Sequence, residues 1–140
     1  MSAELHFETI ADESHAAVVQ VTELFDREVL FPRPTIMMCD GYRLYVASEA
    51  SGVIGAAEAA VDLFEDFAYI RKLAVSPNHR NQGIGSALLQ YAMDDIREAG
   101  VLKAAICPDD DDSKRLYQRL GFAQDLTFDG SPRWLFKDLR

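Results

Sequence analysis

The chain is poor in cysteine, in tryptophan and in positive charge, and it has no long apolar run. Cys39 and Cys107 are its only cysteines, far apart and in no metal-ligand spacing, so neither a disulfide framework nor a zinc site is expected, and no metal is assigned. Against 23 acidic residues stand 14 lysines and arginines, a net charge of -9, which argues against general nucleic-acid binding. That charge favours a cationic substrate or partner, or it serves solubility; sign alone does not choose. No stretch is long enough to cross a bilayer, and Met1-Ser2-Ala3-Glu4 has neither a basic start nor an apolar signal segment. The expectation is a cytoplasmic protein without a membrane partner. Internal repeats, low-complexity tracts and linkers are also missing, so residues 1–140 are expected to form one domain.

Leu5 to Ile10 alternates apolar with polar, as a strand does. Asp12-Glu13-Ser14 then offers capping and first-turn residues to a helix with Ala17, Val18, Val21, Leu24 and Phe25 on one face, running to about Val29. Phe31-Pro32-Arg33-Pro34-Thr35 cannot be regular helix, since each proline also pushes its predecessor toward extended conformations. Turn signals at Asp40-Gly41, Ser51-Gly52 and Glu65-Asp66 separate strands at Arg43–Glu49, Val53–Phe64 and Tyr69–Val75, which predicts an antiparallel meander. A helix from Ser86 to Ala99 leads to a strand at Lys103–Cys107, parallel to Tyr69–Val75 by a crossover. Asp109–Asp112 opens a further helix with Leu116, Tyr117 and Leu120 on one face, and Gly121 ends it. Phe122–Phe128 and Trp134–Leu139 read as a closing hairpin across Asp129-Gly130-Ser131-Pro132.

Function is most legible between Tyr69 and Gly100. The strand stops at Ser76-Pro77-Asn78, then comes Arg80-Asn81-Gln82-Gly83-Ile84-Gly85-Ser86, then a helix face at Ala87, Leu88, Tyr91, Ala92, Ile96 and Ala99. A helix N-terminus presents amides without intrahelical partners and partial positive charge, and Gly83 and Gly85 let an anion approach the backbone. Three phosphate cradles compete for this loop. A Walker loop needs a lysine, and none lies between Asn78 and Ser86. A dinucleotide fingerprint needs a third small residue where Leu88 stands, and its turn follows the strand directly, whereas Ser76 to Gln82 intervene here. The pattern Arg/Gln-x-x-Gly-x-Gly/Ala, after a strand ending Leu-x-Val and before an amphipathic helix, is met at every specified position.

On these residues, together with Leu73-Ala74-Val75-Ser76-Pro77 before the loop and Leu116-Tyr117-Gln118-Arg119-Leu120-Gly121-Phe122 after it, the chain resembles the GNAT superfamily of N-acetyltransferases. The resemblance implies an α/β fold: a mixed, mostly antiparallel sheet with helices on both faces and two splayed parallel central strands. It implies acetyl coenzyme A as co-substrate, held through the backbone of Gln82, Gly83, Ile84, Gly85 and Ser86 at the pyrophosphate and of Leu73, Ala74 and Val75 along the pantetheine arm. Arg80, Asn81, Asp110, Ser113 and Tyr117 complete the implied coenzyme site. Family members usually carry asparagine where Asp110 stands, and the segment from Phe31 to Asp40 is where acceptor specificity is expected. Met37 and Met38 there serve packing as readily. A possible homodimer would use Phe122–Leu139 with Trp134 and Phe136, residues equally suited to a core.

Moving an acetyl group from a thioester to an amine needs a neutral amine, a stabilised carbonyl oxygen and a proton for the departing thiolate. By resemblance, the amide of Leu73 meets the oxygen and the phenol of Tyr117 acts as general acid; a phenol ordinarily titrates near about 10 and so holds its proton at neutral pH. Many relatives place the base early in the strand that here reads Tyr69-Ile70, a departure that leaves the base unassigned; Glu58 on the neighbouring strand is favoured over Glu49 and Glu65. His79 is read as a surface or phosphate-adjacent residue, Asp109–Asp112 as capping and dipole complement, and Cys107 as a small buried hydrophobe. The implied function is N-acetylation of a primary amine of a small molecule or peptide by direct attack in a ternary complex. Two alternatives stand beside it: an acetyl-coenzyme A sensor or docking module without turnover, and a Rossmann-like nucleotide crevice.

Overall fold

The computed structural model describes residues 5–10, 16–28, 41–62, 66–108, 110–124 and 134–140. In chain order its elements are β1 (His6–Ile10), α1 (Ala17–Glu28), β2 (Tyr42–Glu49), β3 (Gly52–Asp62), β4 (Phe67–Val75), a 3-10 turn (Pro77–His79), α2 (Ile84–Glu98), β5 (Lys103–Ile106), α3 (Asp111–Arg119) and β6 (Leu135–Asp138). The six strands form one sheet in the order β1-β2-β3-β4-β5-β6. Every neighbouring pair is antiparallel except β4 with β5. The expected fold class, the meander and the crossover are all present.

Strand alternation distributes the core over two faces. Ile10, Leu44, Val46, Ala56 and Ala74 meet Ala17, Val21, Leu24 and Phe25 of α1 on one side. Tyr45, Ala47, Ala57, Ala59 and Val61 meet Leu88, Leu89, Ala92 and Ile96 of α2 on the other, and Tyr117 of α3 joins that same cluster. The alanines of β3 keep this central strand thin enough for helices to close on both faces. At the β2–β3 turn, Gly52 has φ +122, and a Cβ there would lie 2.4 Å from Oε1 of Gln20 on α1. That oxygen accepts from the Val53 amide at 2.9 Å, so the turn is tied to the helix by an atom that only glycine admits. On the opposite face the Asp95 carboxylate accepts from the Tyr45 hydroxyl and from Arg43, both at 2.7 Å, which fixes α2 to β2. Burial and the hydrogen bond to Asp95 together push the Tyr45 phenol far above its ordinary range.

Several boundaries differ from expectation. β4 begins at Phe67, two residues early, directly after Asp66, whose φ is +52. α2 starts at Ile84 and so takes Gly85 and Ser86 into its first turn. Its buried stripe is Ile84, Leu88, Leu89, Ala92, Met93 and Ile96, and Ala87 is exposed. The stripe is wider than a single row because the helix lies across β2, β3 and β4. Of the closing hairpin, Phe122 is buried and Ala123 bridges Phe136 antiparallel; residues 125–133 lie outside the described residues. Phe136 packs on Phe67 and Ala105, with Trp134 edge-on to Tyr69 at 5.6 Å. No helix among the described residues is long and apolar enough to cross a membrane.

Candidate active site

The parallel pairing of β4 and β5 is short. It runs from Phe67↔Lys103 to Ile70↔Ile106 and stops, while β4 continues five residues to Val75. On the other side β4 stays paired to β3 as far as Gly55↔Val75. From Arg71 onward β4 therefore turns one main-chain edge toward a gap with no strand partner among the described residues.

Along that edge Leu73 and Val75 are half-buried, their side chains packed on the α2-side core, and Ala74 is buried against α1. The chain leaves β4 through Ser76, whose amide donates to Ile54 at 2.7 Å, and enters the 3-10 turn. Asn81 at φ +62 and Gly83 at φ +78 then swing it into α2. Gly83 is the N-cap and no side chain among the described residues caps the helix; the first intrahelical bond, Ala87 N to Gly83 O at 3.0 Å, leaves the amides of Ile84, Gly85 and Ser86 at the helix mouth. A Cβ on Gly83 would meet no described atom within 4 Å, so there is room for a side chain at that point beside the mouth. A Cβ on Gly85 would lie 3.6 Å from Val75 Cγ2 and 3.9 Å from Leu116 Cδ2, which brings the end of β4, the loop and α3 together. These residues fit a diphosphate: donors without side-chain competition, partial positive charge and room.

The expected site residues are not all free for such a role. Arg80 donates from Nη2 to Glu28 at 2.9 Å and from Nε to the Val75 carbonyl at 3.3 Å, anchoring the loop to α1 and β4. Asn81 and Gln82 are exposed. Tyr117 is buried at 6% exposure and edge-on to Phe122 at 6.3 Å. Asp110 is the N-cap of α3: its carboxylate accepts from the Ser113 amide at 2.7 Å, and Ser113 Oγ accepts from the Asp110 amide at 3.1 Å. This reciprocal cap uses both side chains, and the bond from the Ser113 amide is the main reason the Asp110 carboxyl is held below its ordinary range. A lowered folded value means stability that is present above the unfolded pKa of roughly 4 and lost as pH falls through the folded value. Asp110→Ala therefore loses about 1 kcal/mol at pH 7, and urea midpoints of variant and parent converge in acid as the parent's own cap protonates.

The carboxylates expected to act as base are likewise engaged. Glu49 Oε1 lies 2.8 Å from His79 Nε2 and accepts from Ser51 at 2.9 Å; the His79 bond first, then Ser51, holds its carboxyl low. Glu58 is 1% exposed on the α1 side of the sheet. Arg71 Nη1 donates to its Oε1 at 2.5 Å, and Lys72 Nζ lies 3.7 Å from its Oε2. Lys72 is buried over the Phe25 ring at 5.5 Å, and Arg71 lies over the Tyr42 ring at 5.2 Å. Burial, more than any neighbouring charge, pushes the Lys72 amine below its ordinary value. Sequence reasoning missed Arg71 and Lys72, though a signal was there: two adjacent cations inside an otherwise apolar strand cannot both face water if side chains alternate. Cys107 follows β5 and is partly buried. No group of metal-ligating side chains occurs among the described residues. Glu65, Asp109, Cys39 and the segment from Phe31 to Asp40 lie outside the described residues.

Comparison with known proteins agrees with this architecture. The family model described as Acetyltransferase (GNAT) family matches residues 9–122. No sequence among the curated proteins matches. Of solved structures, GCN5 of Tetrahymena superposes with a TM-score of 0.80 at 14% identity, over 96% of each chain. The GNAT family N-acetyltransferase YhbS of Escherichia coli, in complex with CoA, gives 0.76 at 20% identity over 100% of this chain and 84% of that one. The IAA acetyltransferase of Bacillus cereus gives 0.73 at 19% identity, over 96% and 99%. At these identities the likeness is one of fold, and it is the family model, over most of the chain, that fixes the assignment. With strand gap, glycine loop and uncapped helix in the family's order, the chain belongs to the GNAT family of acetyltransferases.

Proposed function

We propose that this chain transfers an acetyl group from acetyl coenzyme A to a primary amine of a small molecule or peptide, by direct attack within a ternary complex. The observation that carries the reading is the open edge of β4 from Arg71 to Val75, continuing into a helix mouth with no side-chain cap. The amides of Ile84, Gly85 and Ser86 hold the diphosphate, and the main chain of Leu73 and Val75 aligns the arm as an added strand would. When bound, acetyl coenzyme A supplies the activated acyl group. The Leu73 amide steadies the carbonyl oxygen as the amine nitrogen attacks, and Tyr117 gives its phenolic proton to the departing sulfur as the C–S bond breaks. For the amine's proton Glu58 stands as the base expected from its strand; set against that role is its closed cluster with Arg71 and Lys72, which favours the positioning role argued below.

A titration of acetyl coenzyme A into the protein tests the cradle. Gly83 has a positive φ that asparagine and aspartate both tolerate, with room for a side chain. Gly83→Asp sets a carboxylate beside the diphosphate while Gly83→Asn sets a neutral group of the same shape, and the charge alone is expected to weaken binding roughly tenfold by about 1–2 kcal/mol. Equal affinities for the two variants sink the cradle. The engagement of Glu49 and Glu58 favours a second reading, a coenzyme sensor without turnover. Thiol release across amines, polyamines, amino acids, aminoglycosides and peptides separates the two: silence across the panel with tight coenzyme binding leaves the sensor.

A further inference from the structure

We infer that Glu58 is a positioning residue whose carboxylate pins a bulge in β4 and so sets where that strand departs from β5. The β3–β4 register pairs Glu58 with Lys72 but Ala59 with Ile70, so Arg71 is an extra residue opposite no partner. In a regular strand adjacent side chains point to opposite faces, and one carboxylate on the facing strand reaches only one of them. Here Glu58 grips both: Arg71 at 2.5 Å and Lys72 at 3.7 Å. The bulge is what turns two consecutive cations to one face, and the shared carboxylate is what rewards it.

The place of the bulge gives it consequence. Ile70↔Ile106 is the last pair between β4 and β5, and Arg71 is the next residue. A bulge bends its strand and sharpens the local twist, so this one sits where the two parallel strands part. It also fixes which main-chain groups of Leu73 and Val75 turn toward the gap, because losing one residue of register exchanges the faces of everything on one side of it. Glu58 thus acts on the coenzyme arm through the backbone of β4 and not by touching it. The claim about register is independent of ligand; the claim about the arm rests on the acetyl-coenzyme A reading above.

Arg71→Gln and Glu58→Gln test it, with all measurements made well below each variant's Tm. Cross-strand nuclear Overhauser contacts between the backbones of Ala59 and Ile70 report the register directly. Acetyl-coenzyme A affinity and the pH profile of kcat/KM report the consequence. Both substitutions are expected to shift the contact pattern and weaken acetyl-coenzyme A at least fivefold with an unaltered pH profile, and the double variant is expected to be no worse than the worse single. Where Glu58→Gln does not fold, Arg71→Gln decides alone, since it leaves a charge-balanced Glu58–Lys72 pair. Wild-type contacts and wild-type affinity in Arg71→Gln overturn the inference. So does loss of the acidic limb of the profile in Glu58→Gln with Arg71→Gln silent, which makes Glu58 the base. A parent protein that binds no acetyl coenzyme A sinks the functional reading instead, and the register contacts still decide the bulge.

Discussion

Tyr117→Phe is expected to lower kcat for thiol release roughly 100- to 1,000-fold while changing acetyl-coenzyme A affinity less than about threefold, the span that one positioned proton donor contributes. The ring is nine-tenths buried in the α2-side core and edge-on to Phe122, and phenylalanine preserves those contacts. Only the hydroxyl is lost, so the fold loses at most one hydrogen bond, on the order of 1 kcal/mol, and a shift of a few degrees in Tm. A rate effect without an affinity effect marks an interaction made as the C–S bond breaks. Steady-state thiol release and an acetyl-coenzyme A titration on the same preparation supply both numbers. An unchanged kcat removes Tyr117 from the chemistry and returns it to the core, where its burial already places it.

The same residue shows how far the sequence reaches. The helical period put Tyr117 on an apolar face, and only the surrounding Leu-Tyr-x-x-Leu-Gly-Phe spacing suggested more; in the structure its burial satisfies the plain reading without excluding the other. Strand order was legible because the signalled turn residues Gly41, Gly52 and Asp66 all take positive φ, which reverses the chain between strands. The helix mouth was legible because Gly83 occupies a conformation that most residues avoid. What could not be read was how polar side chains spend their hydrogen bonds. Asp110 reads in the sequence both as a cap and as a coenzyme contact, and its side chain is spent on the cap with Ser113; Glu58 reads as the base and is buried between two cations. The pairing of Glu58 with Arg71 and Lys72 depends on the β3–β4 register, and a one-residue bulge leaves almost no trace in hydrophobic periodicity. Its only mark was the adjacency of Arg71 and Lys72.

That buried cluster carries the largest stability effect. Glu58→Gln keeps shape and removes one negative charge from beneath Arg71 and Lys72, of which Lys72 is almost fully buried and Arg71 only partly. Removing one member of a buried ion pair costs about 3–5 kcal/mol, and the partial exposure of Arg71 puts the expected loss near the lower end, a fall in Tm of about 10 °C. The penalty falls mostly on Lys72, because burial already lowers its amine and Glu58 is the main charge that opposes this. A lysine whose folded pKa lies below its unfolded value lowers stability fully at pH below the folded value, and that cost is relieved as pH rises, since the unfolded chain then holds the extra proton. The deficit of Glu58→Gln is therefore expected to shrink between pH 7 and pH 9.5. In the same chain Lys72→Met removes the stranded cation and keeps an unbranched side chain over Phe25, and is expected to recover at least half of the lost stability. Thermal unfolding followed by circular dichroism measures all three. A deficit that Lys72→Met deepens, or that grows with pH, means the carboxylate serves chiefly Arg71, and the positive charge that matters lies at the bulge rather than beneath the helix.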